Sequence, residues 1–408
     1  MATSMQLTHY RSHLTRVILI ISLILVTSSY AEERKIIQFW HSNNSELFWQ
    51  SIIDDFNQTH SNIKIQISVF PTEELKTAIV KAVYSKQAPE VVMFSSDNLG
   101  YRDLFELSVV SEDILSPQLT ASSLEYVKNQ ELLGIPLYTG NHLVLFYNKS
   151  YINRPASNWQ ELLKQTPKLL QQNIKPLAIK YSEMYWFIAF LHGMGGETLK
   201  LDKPTLNTAE MVNTLKFYKQ LQQTLKVPQS CTYDCPSLHF FQGKYAYSIN
   251  GDWEFEQTRK RLGNNFGIAP LPTIHQHKVS SLSGALTIAF PAQSLSNTNR
   301  PHLVELAKYL QSEKVMRRIS TELHVFPSHK LIQAEILNEA DENWKALISQ
   351  LEVSKKLKPS KAVVSSWNAM AKGLNLYLNG TLSAHQTAEY MQSTAEYEMQ
   401  KLTNTRLQ

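Results

Sequence analysis

Apolar positions recur along this chain with two periods, two residues and about 3.6, and the alternation of the two predicts a layered α/β protein. Ile36 to Trp40 reads as a strand, and the next segment sets Phe48, Ile52 and Phe56 beside Trp49 and Ile53, one apolar helical face. Ile63 to Val69 alternates with period two. After the Pro71 turn, Leu75, Ala78, Ile79, Ala82 and Val83 mark a second helix, and Val91 to Phe94 a third short strand. A β-α-β-α-β run of about 60 residues suits successive crossover units, which are right-handed and predict a mostly parallel sheet. Further on, Leu143 to Asn148 is a strand, and Ser157 followed by Gln160 forms a capping box that opens a helix through Leu170. Helices are expected at Thr208 to Thr224 and Asp252 to Leu262, with strands at Tyr245 to Ile249 and Ser283 to Phe290. From Pro301 the periodicity is almost all helical. No repeat or long linker divides the chain, so two lobes would be crossed by it more than once.

The N-terminal segment breaks this pattern. Arg11 and Arg16 precede the apolar run Val17 to Val26, and Thr27-Ser28-Ser29-Tyr30-Ala31 is small and polar. That is the order of an export signal with cleavage after Ala31, and the run is half of the ~20 residues a membrane span needs. No cysteine lies near the cleavage point, so no lipid anchor is expected, and the mature chain should be soluble in the periplasm. The formal charge of +5 falls to +3 when Arg11 and Arg16 leave, which argues against nucleic acid and membrane surfaces as partners. The basic runs Lys314 to Arg318 and Lys355 to Lys361 lack interleaved aromatics and read as solvated faces. Cys231 and Cys235 are the only cysteines. In an oxidising compartment, thiols this close favour a disulfide that pins a surface loop, with free thiols and a metal site as the other readings.

More specific blocks follow one another at characteristic spacing. They are Phe39-Trp40-His41, Asp55-Phe56-Asn57, Ala88-Pro89-Glu90-Val91-Val92, Pro136-Leu137-Tyr138, Phe146-Tyr147-Asn148-Lys149, Trp159 with Glu161, Phe241-Gln242-Gly243-Lys244 through Gly251-Asp252-Trp253, Phe266 to Pro272, and Ser283-Gly284-Ala285. From about residue 36 to its end the chain thereby resembles the family 1 extracellular solute-binding proteins, the sugar-binding receptors of ABC importers. The resemblance implies an α/β, two-lobed periplasmic-binding-protein fold, with a ligand cleft between lobes joined by crossing strands. Its expected division is signal peptide 1–31, lobe 1 from 32–142 and 284–340, lobe 2 from 143–283, and a helical part 341–408 mainly on lobe 2. It also implies ligand contacts at His41, Asn43, Ser95, Ser96, Tyr138, Thr139, Asn141, Asn250, Asp252, Trp253, Ser283, Gly284 and Trp367. Most of these end strand-like runs, where an open α/β sheet exposes backbone N–H groups and short polar side chains.

Sugars carry hydroxyls around the ring edge and C–H groups on the faces, so their sites combine planar aromatics with small polar groups. Trp40, Tyr138, Trp186, Trp253 and Trp367 supply the first kind and Asn43, Ser95, Asn141, Asn250 and Asp252 the second. Counting back from Gly380, Trp367 falls where glycerol-phosphate-binding members carry an arginine. An indole there suits a neutral sugar better than a phosphate, although His41-Ser42 resembles the glycerol-phosphate branch. Asn158 stands where the family usually has threonine, a change that still caps a helix.

A glycoside-active enzyme is the competing class. Asp54-Asp55, Glu73-Glu74 and Asp252 with Glu254 are its candidate carboxylate pairs, but adjacent acids are more often solvated charge. His275-Gln276-His277 lacks a third ligand for a metal, and Gly193 to Gly196 lacks the lysine a nucleotide loop needs. The expectation is a monomeric binding protein, not an enzyme, that uses no cofactor or metal. It should capture a carbohydrate or polyol and dock on an ABC permease in the inner membrane.

Overall fold

The computed structural model describes residues 34–42, 45–228, 231–232 and 234–404. The expected signal segment and Asn43 lie outside the described residues. Thirteen strands follow in chain order among them: β1 Lys35–His41, β2 Ile63–Val69, β3 Val91–Ser95, β4 Ile135–Gly140, β5 Leu143–Asn148, β6 Lys175–Ala178, β7 Leu199–Lys200, β8 Lys203–Pro204, β9 Tyr245–Gly251, β10 Phe266–Ala269, β11 Leu282–Ala289, β12 Phe326–Pro327 and β13 Lys355–Lys356. They build one lobe around the sheet β12-β4-β11-β3-β1-β2, with β13 paired to β11, and a second around β10-β5-β9-β6.

Lobe 1 begins as its apolar pattern dictates. β1 pairs in parallel with β2 (Lys35 opposite Ile63) and with β3 (Phe39 opposite Val91). The intervening helices, Glu46–Thr59 and Thr72–Tyr84, lay their apolar stripes on the sheet. The sheet is nevertheless mixed, which corrects the expected parallel one. β11 re-enters lobe 1 from the other lobe and runs antiparallel to both β3 and β4, a long-range pairing invisible to local periodicity. In lobe 2, β5 is antiparallel to β9 and β10, and only β6 is parallel to β9.

Lobe 2 is the more aromatic of the two cores. Trp159, Trp186, Phe187, Phe190, Tyr218 and Tyr247 pack together there, and Tyr181 and Tyr218 stack and exchange hydroxyl-to-carbonyl bonds at 3.1 and 3.0 Å. The helices Lys361–Leu378 and Ala384–Asn404 add Ala369, Met370, Leu374, Ala388 and Met391 to this core. The cap of the helix Trp159–Gln171 differs from expectation. Asn158 Oδ1 accepts from Glu161 N at 2.9 Å, and Glu161, not Gln160, returns a carboxylate to Ser157 N at 2.8 Å. One basic run is more than a solvated face. Lys356 pairs with Glu125 at 2.8 Å and Lys361 with Asp103 at 2.9 Å, both on lobe 1, while Lys355 pairs with Glu197 on lobe 2. Among the described residues no helix is long and apolar enough to cross a membrane.

Candidate functional site

Three segments pass side by side between the lobes. The first is the two-residue link Asn141-His142 from β4 to β5, the second Ser281 to Ser283 entering β11, and the third Ser354 to Leu357. Ser281 ties all three together: its Oγ accepts from Leu143 N at 3.2 Å and lies 2.9 Å from Ser354 Oγ, and its carbonyl accepts from Lys355 N at 2.8 Å. Strand pairing continues the contact, Leu282 opposite Lys355 and Ser283 opposite Lys356.

Gly140 and Asn141 turn the first link through φ of +146° and +49°. A Cβ on Gly140 would stand 2.0 Å from Asp252 Oδ2, so glycine is required there by space as well as by conformation. The same carboxylate oxygen accepts from Asn141 N at 3.1 Å and lies 3.2 Å from His142 Nδ1, while His142 Nε2 meets the Leu347 carbonyl at 3.0 Å. Asp252, expected to face ligand, thus spends one oxygen holding the link from lobe 2.

On the lobe 1 side, Ser95 and Ser96 end β3. Ser95 Oγ accepts from Asn141 Nδ2 at 3.2 Å, and Ser96 Oγ accepts from Ala285 N at 3.1 Å. Gly284 lies over both, since a Cβ there would come 3.4 Å from Asn141 Nδ2 and from Ser96 Oγ. Ser283 Oγ meets the Tyr126 hydroxyl at 3.0 Å. This side is a set of small hydroxyl and amide groups on strand ends, already linked to one another.

The lobe 2 side is aromatic. Trp253 follows β9 on a short turn, and its ring folds back over Gly251, where a Cβ would sit 2.1 Å from the indole. Trp367 projects from the helix Lys361–Leu378. Between them stands Tyr185, on the helix Met184–Gly193, with ring centroids 6.3 Å from Trp253 and 5.8 Å from Trp367. Its hydroxyl reaches the carbonyls of Asn141 and Leu282, one on each of two crossing segments. Trp253 and Trp367 are only partly buried. A small apolar hollow of about 10 Å³ adjoins Trp367, lined also by Ile188, Leu282, Leu357, Val363 and Met370.

Ser95, Ser96, Asn141, Asp252, Trp253, Ser283, Gly284 and Trp367 therefore lie in or beside the crossing segments, and six other expected residues do not. Trp186 is 1% exposed, with Nε1 donating to the Ile249 carbonyl at 2.8 Å, so it is core. Its neighbour Tyr185 is buried too, at 8% exposure, and differs in that its polar tip reaches the crossing segments. His41 is fully buried, and burial lowers its imidazole pKa to about 4. Asn250 turns away from the aromatics, giving Nδ2 to Ser237 Oγ at 3.1 Å and taking Gly251 N on Oδ1 at 2.9 Å. Thr139 donates within lobe 1 to the Phe326 carbonyl at 3.4 Å. Tyr138, beside it in β4, packs partly buried against the lobe 1 core, and Trp40 packs against Phe70 with centroids 4.7 Å apart. The pair Asp54-Asp55 lies on the outer helix of lobe 1, where Asp55 meets Lys314 and Arg318. No cluster of three metal-ligating side chains occurs among the described residues.

Comparison with known proteins shows the family and the fold. The sequence model of the bacterial extracellular solute-binding proteins matches residues 42–317. A maltotriose-binding protein of Pyrococcus abyssi (strain GE5 / Orsay) is 22% identical over 320 residues, 74% of this chain and 67% of that one. Among solved structures, the maltose/maltodextrin-binding domain MalE of Bdellovibrio bacteriovorus, bound to maltotriose, superposes with a TM-score of 0.82 at 26% identity. It is matched over 100% of its length by 90% of this chain. The GacH receptor of Streptomyces glaucescens GLA.O, solved unliganded and with acarbose, gives the same TM-score at 18% identity, over 90% of this chain and 99% of that one, and speaks to the fold alone.

Proposed function

The chain belongs to the bacterial extracellular solute-binding proteins, and from that premise we propose that its solute is a neutral oligosaccharide of the maltotriose type. The observation that carries the reading is the pair of partly buried indoles Trp253 and Trp367, set on either side of Tyr185 beside crossing segments that carry the amide and hydroxyl groups of Asn141 and Ser95. Indole and phenol faces stack on the C–H faces of sugar rings, and the small polar side chains match the ring-edge hydroxyls. The ligands named for the P. abyssi and B. bacteriovorus proteins support the same class.

Binding in this reading is reversible and leaves the sugar unchanged. The lobes close about the Asn141-His142, Ser281–Ser283 and Ser354–Leu357 segments, sequestering the ligand. Tyr185 has a particular place in that motion, because its hydroxyl touches two of the three segments while its ring packs between Trp253 and Trp367. The closed form then delivers its cargo to an ABC permease, from the periplasm, after removal of residues 1–31. Trp367 in place of a cation disfavours glycerol 3-phosphate, whose dianion needs a guanidinium, an ammonium or convergent N–H groups.

Titration of intrinsic tryptophan fluorescence tests the reading directly. Maltotriose should bind with a dissociation constant of about 1 µM, about −8 kcal/mol, and glycerol 3-phosphate should not bind. Saturation by glycerol 3-phosphate with no response to maltotriose would overturn it.

A further inference from the structure

Cys231 and Cys235 form a disulfide, and both are buried, at 1% and 7% exposure. Directly after it, Cys235–His239 makes one wide helical turn, and that turn leans on the strand leading to the ligand side. Three bonds join them. Ser248 Oγ donates to the Pro236 carbonyl at 2.7 Å, Asn250 Nδ2 donates to Ser237 Oγ at 3.1 Å, and the Tyr245 hydroxyl donates to Cys235 Sγ at 3.8 Å. Burial pushes the Glu254 carboxyl up in pKa, and Ser237 beside it opposes the shift. The contacts thus bracket Gly251-Asp252-Trp253 from both ends, at Ser248 and Asn250 before it and at Glu254 after it.

Within the bracketed segment, Gly251 pairs with Leu143 and Asp252 is bonded to the Asn141-His142 link, its N–H donating to the His142 carbonyl at 3.0 Å and its Oδ2 accepting from Asn141 N, so the part left to packing is the Trp253 indole. Gly251 carries no side chain, and Trp253 is held mainly by folding over Gly251 and against Tyr185 and Trp186. A loop that must present an indole in one orientation loses conformational entropy on binding unless it is ordered beforehand. A crosslink of four-residue separation orders the turn, and the turn orders the loop.

We propose that the Cys231–Cys235 disulfide and Ser237 are positioning elements for the ligand site: they hold the segment Asn250 to Glu254 in its binding conformation and so raise ligand affinity without touching ligand. The positioning part rests on the bonds above; the affinity part rests also on the carbohydrate reading.

Hydrogen–deuterium exchange and maltotriose titration on the same proteins separate the two. Ser237→Ala and the double variant Cys231→Ala/Cys235→Ala should speed exchange in peptides spanning residues 246–256 by about tenfold, a loss of local protection. Exchange over β2 in lobe 1 should be unchanged. Ser237→Ala should weaken maltotriose binding several-fold, and Ser237→Thr, which keeps the hydroxyl, should restore both readings. If the double variant does not fold, Ser237→Ala decides, because it leaves the disulfide intact. Unchanged exchange over 246–256 in Ser237→Ala, an equal rise in lobe 1, or faster exchange with unaltered affinity would each overturn the proposal. Wild-type protein that ignores maltotriose would instead overturn the carbohydrate reading, and the exchange data would then judge the positioning role by themselves.

Discussion

The two sides of the cleft are built from opposite materials. Lobe 1 offers strand ends bearing Ser95, Ser96 and Gly284, whose hydroxyls and backbone are bonded to the Asn141 link and to β11. Lobe 2 offers rings: Tyr185 and Trp253 from its own elements, and Trp367 from the late helix packed on it. The difference teaches a division of labour. A hydrogen bond to a sugar hydroxyl replaces one to water and contributes little net free energy, whereas stacking buries apolar area and contributes more. Affinity should therefore reside mainly in lobe 2, and lobe 1 should set which hydroxyl pattern fits.

The largest expected effect ignores this division. His41 in lobe 1 and His192 in lobe 2 both have pKa values lowered to about 4, chiefly by burial, with Lys355 adding to the shift at His192. Unfolded histidines bind protons at higher pH than these do. The stabilisation is therefore complete above about pH 6.5 and is lost as pH falls toward 4, on the order of 3 kcal/mol for each group. Urea unfolding at pH 7 and pH 4.5 should show both lobes weakened together; a stability independent of pH over that range would mean that neither imidazole is buried as neutral.

Next comes the seam between the sides. Gly140→Ala puts a methyl group against the Asp252 carboxylate at a φ of +146°, and should cost about 2 to 4 kcal/mol of stability by chemical denaturation. The aromatic side follows. Trp253→Ala and Trp367→Ala should each weaken maltotriose binding by about 1 to 3 kcal/mol in a calorimetric titration, with Trp159→Phe, in the lobe 2 core against Phe190, as a control that lowers stability but leaves affinity alone. Equal losses from Trp159→Phe and Trp253→Ala would erase the distinction between core and site. The smallest effect belongs to the polar side. Ser95→Ala should cost about 0.5 to 1.5 kcal/mol of binding and change the ranking among sugar epimers more than the affinity for maltotriose. A loss larger than that of Trp253→Ala would invert the comparison.

Much of the fold was legible residue by residue, because the elements are short and strongly patterned. β2 and β5 begin and end where the alternation of Ile63–Val69 and the apolar run of Leu143–Asn148 say, and Thr208 caps the helix that follows it. The mixed sheet was not legible, because β11 pairs with β3 and β4 across more than 140 residues of chain and its direction depends on the path through the other lobe. In the site, Trp253 and Trp367 stood out as aromatics at a turn and on a late helix. Tyr185 did not, because every neighbour on the helix Met184–Gly193 is buried and periodicity carries no phase there. His41 was read as a ligand contact because it is a polar residue ending a strand; its burial depends on tertiary packing, which local pattern does not carry.

The helix Lys361–Leu378 is fastened at its start to lobe 1, through Lys361 to Asp103 at 2.9 Å and through the Pro359 carbonyl, which accepts from Asn129 Nδ2 at 3.0 Å. From Ala369 onward it is embedded in lobe 2. Trp367 sits between these two attachments, six residues or about 9 Å along the axis from Lys361. On the proposed carbohydrate reading, occupancy at the indole and the angle between the lobes are recorded on one rigid rod that starts at the surface. A dye attached at the exposed position 358, which leaves the Lys361–Asp103 pair intact, would read both in a single optical signal, and the protein could serve as a gauge of dissolved sugar.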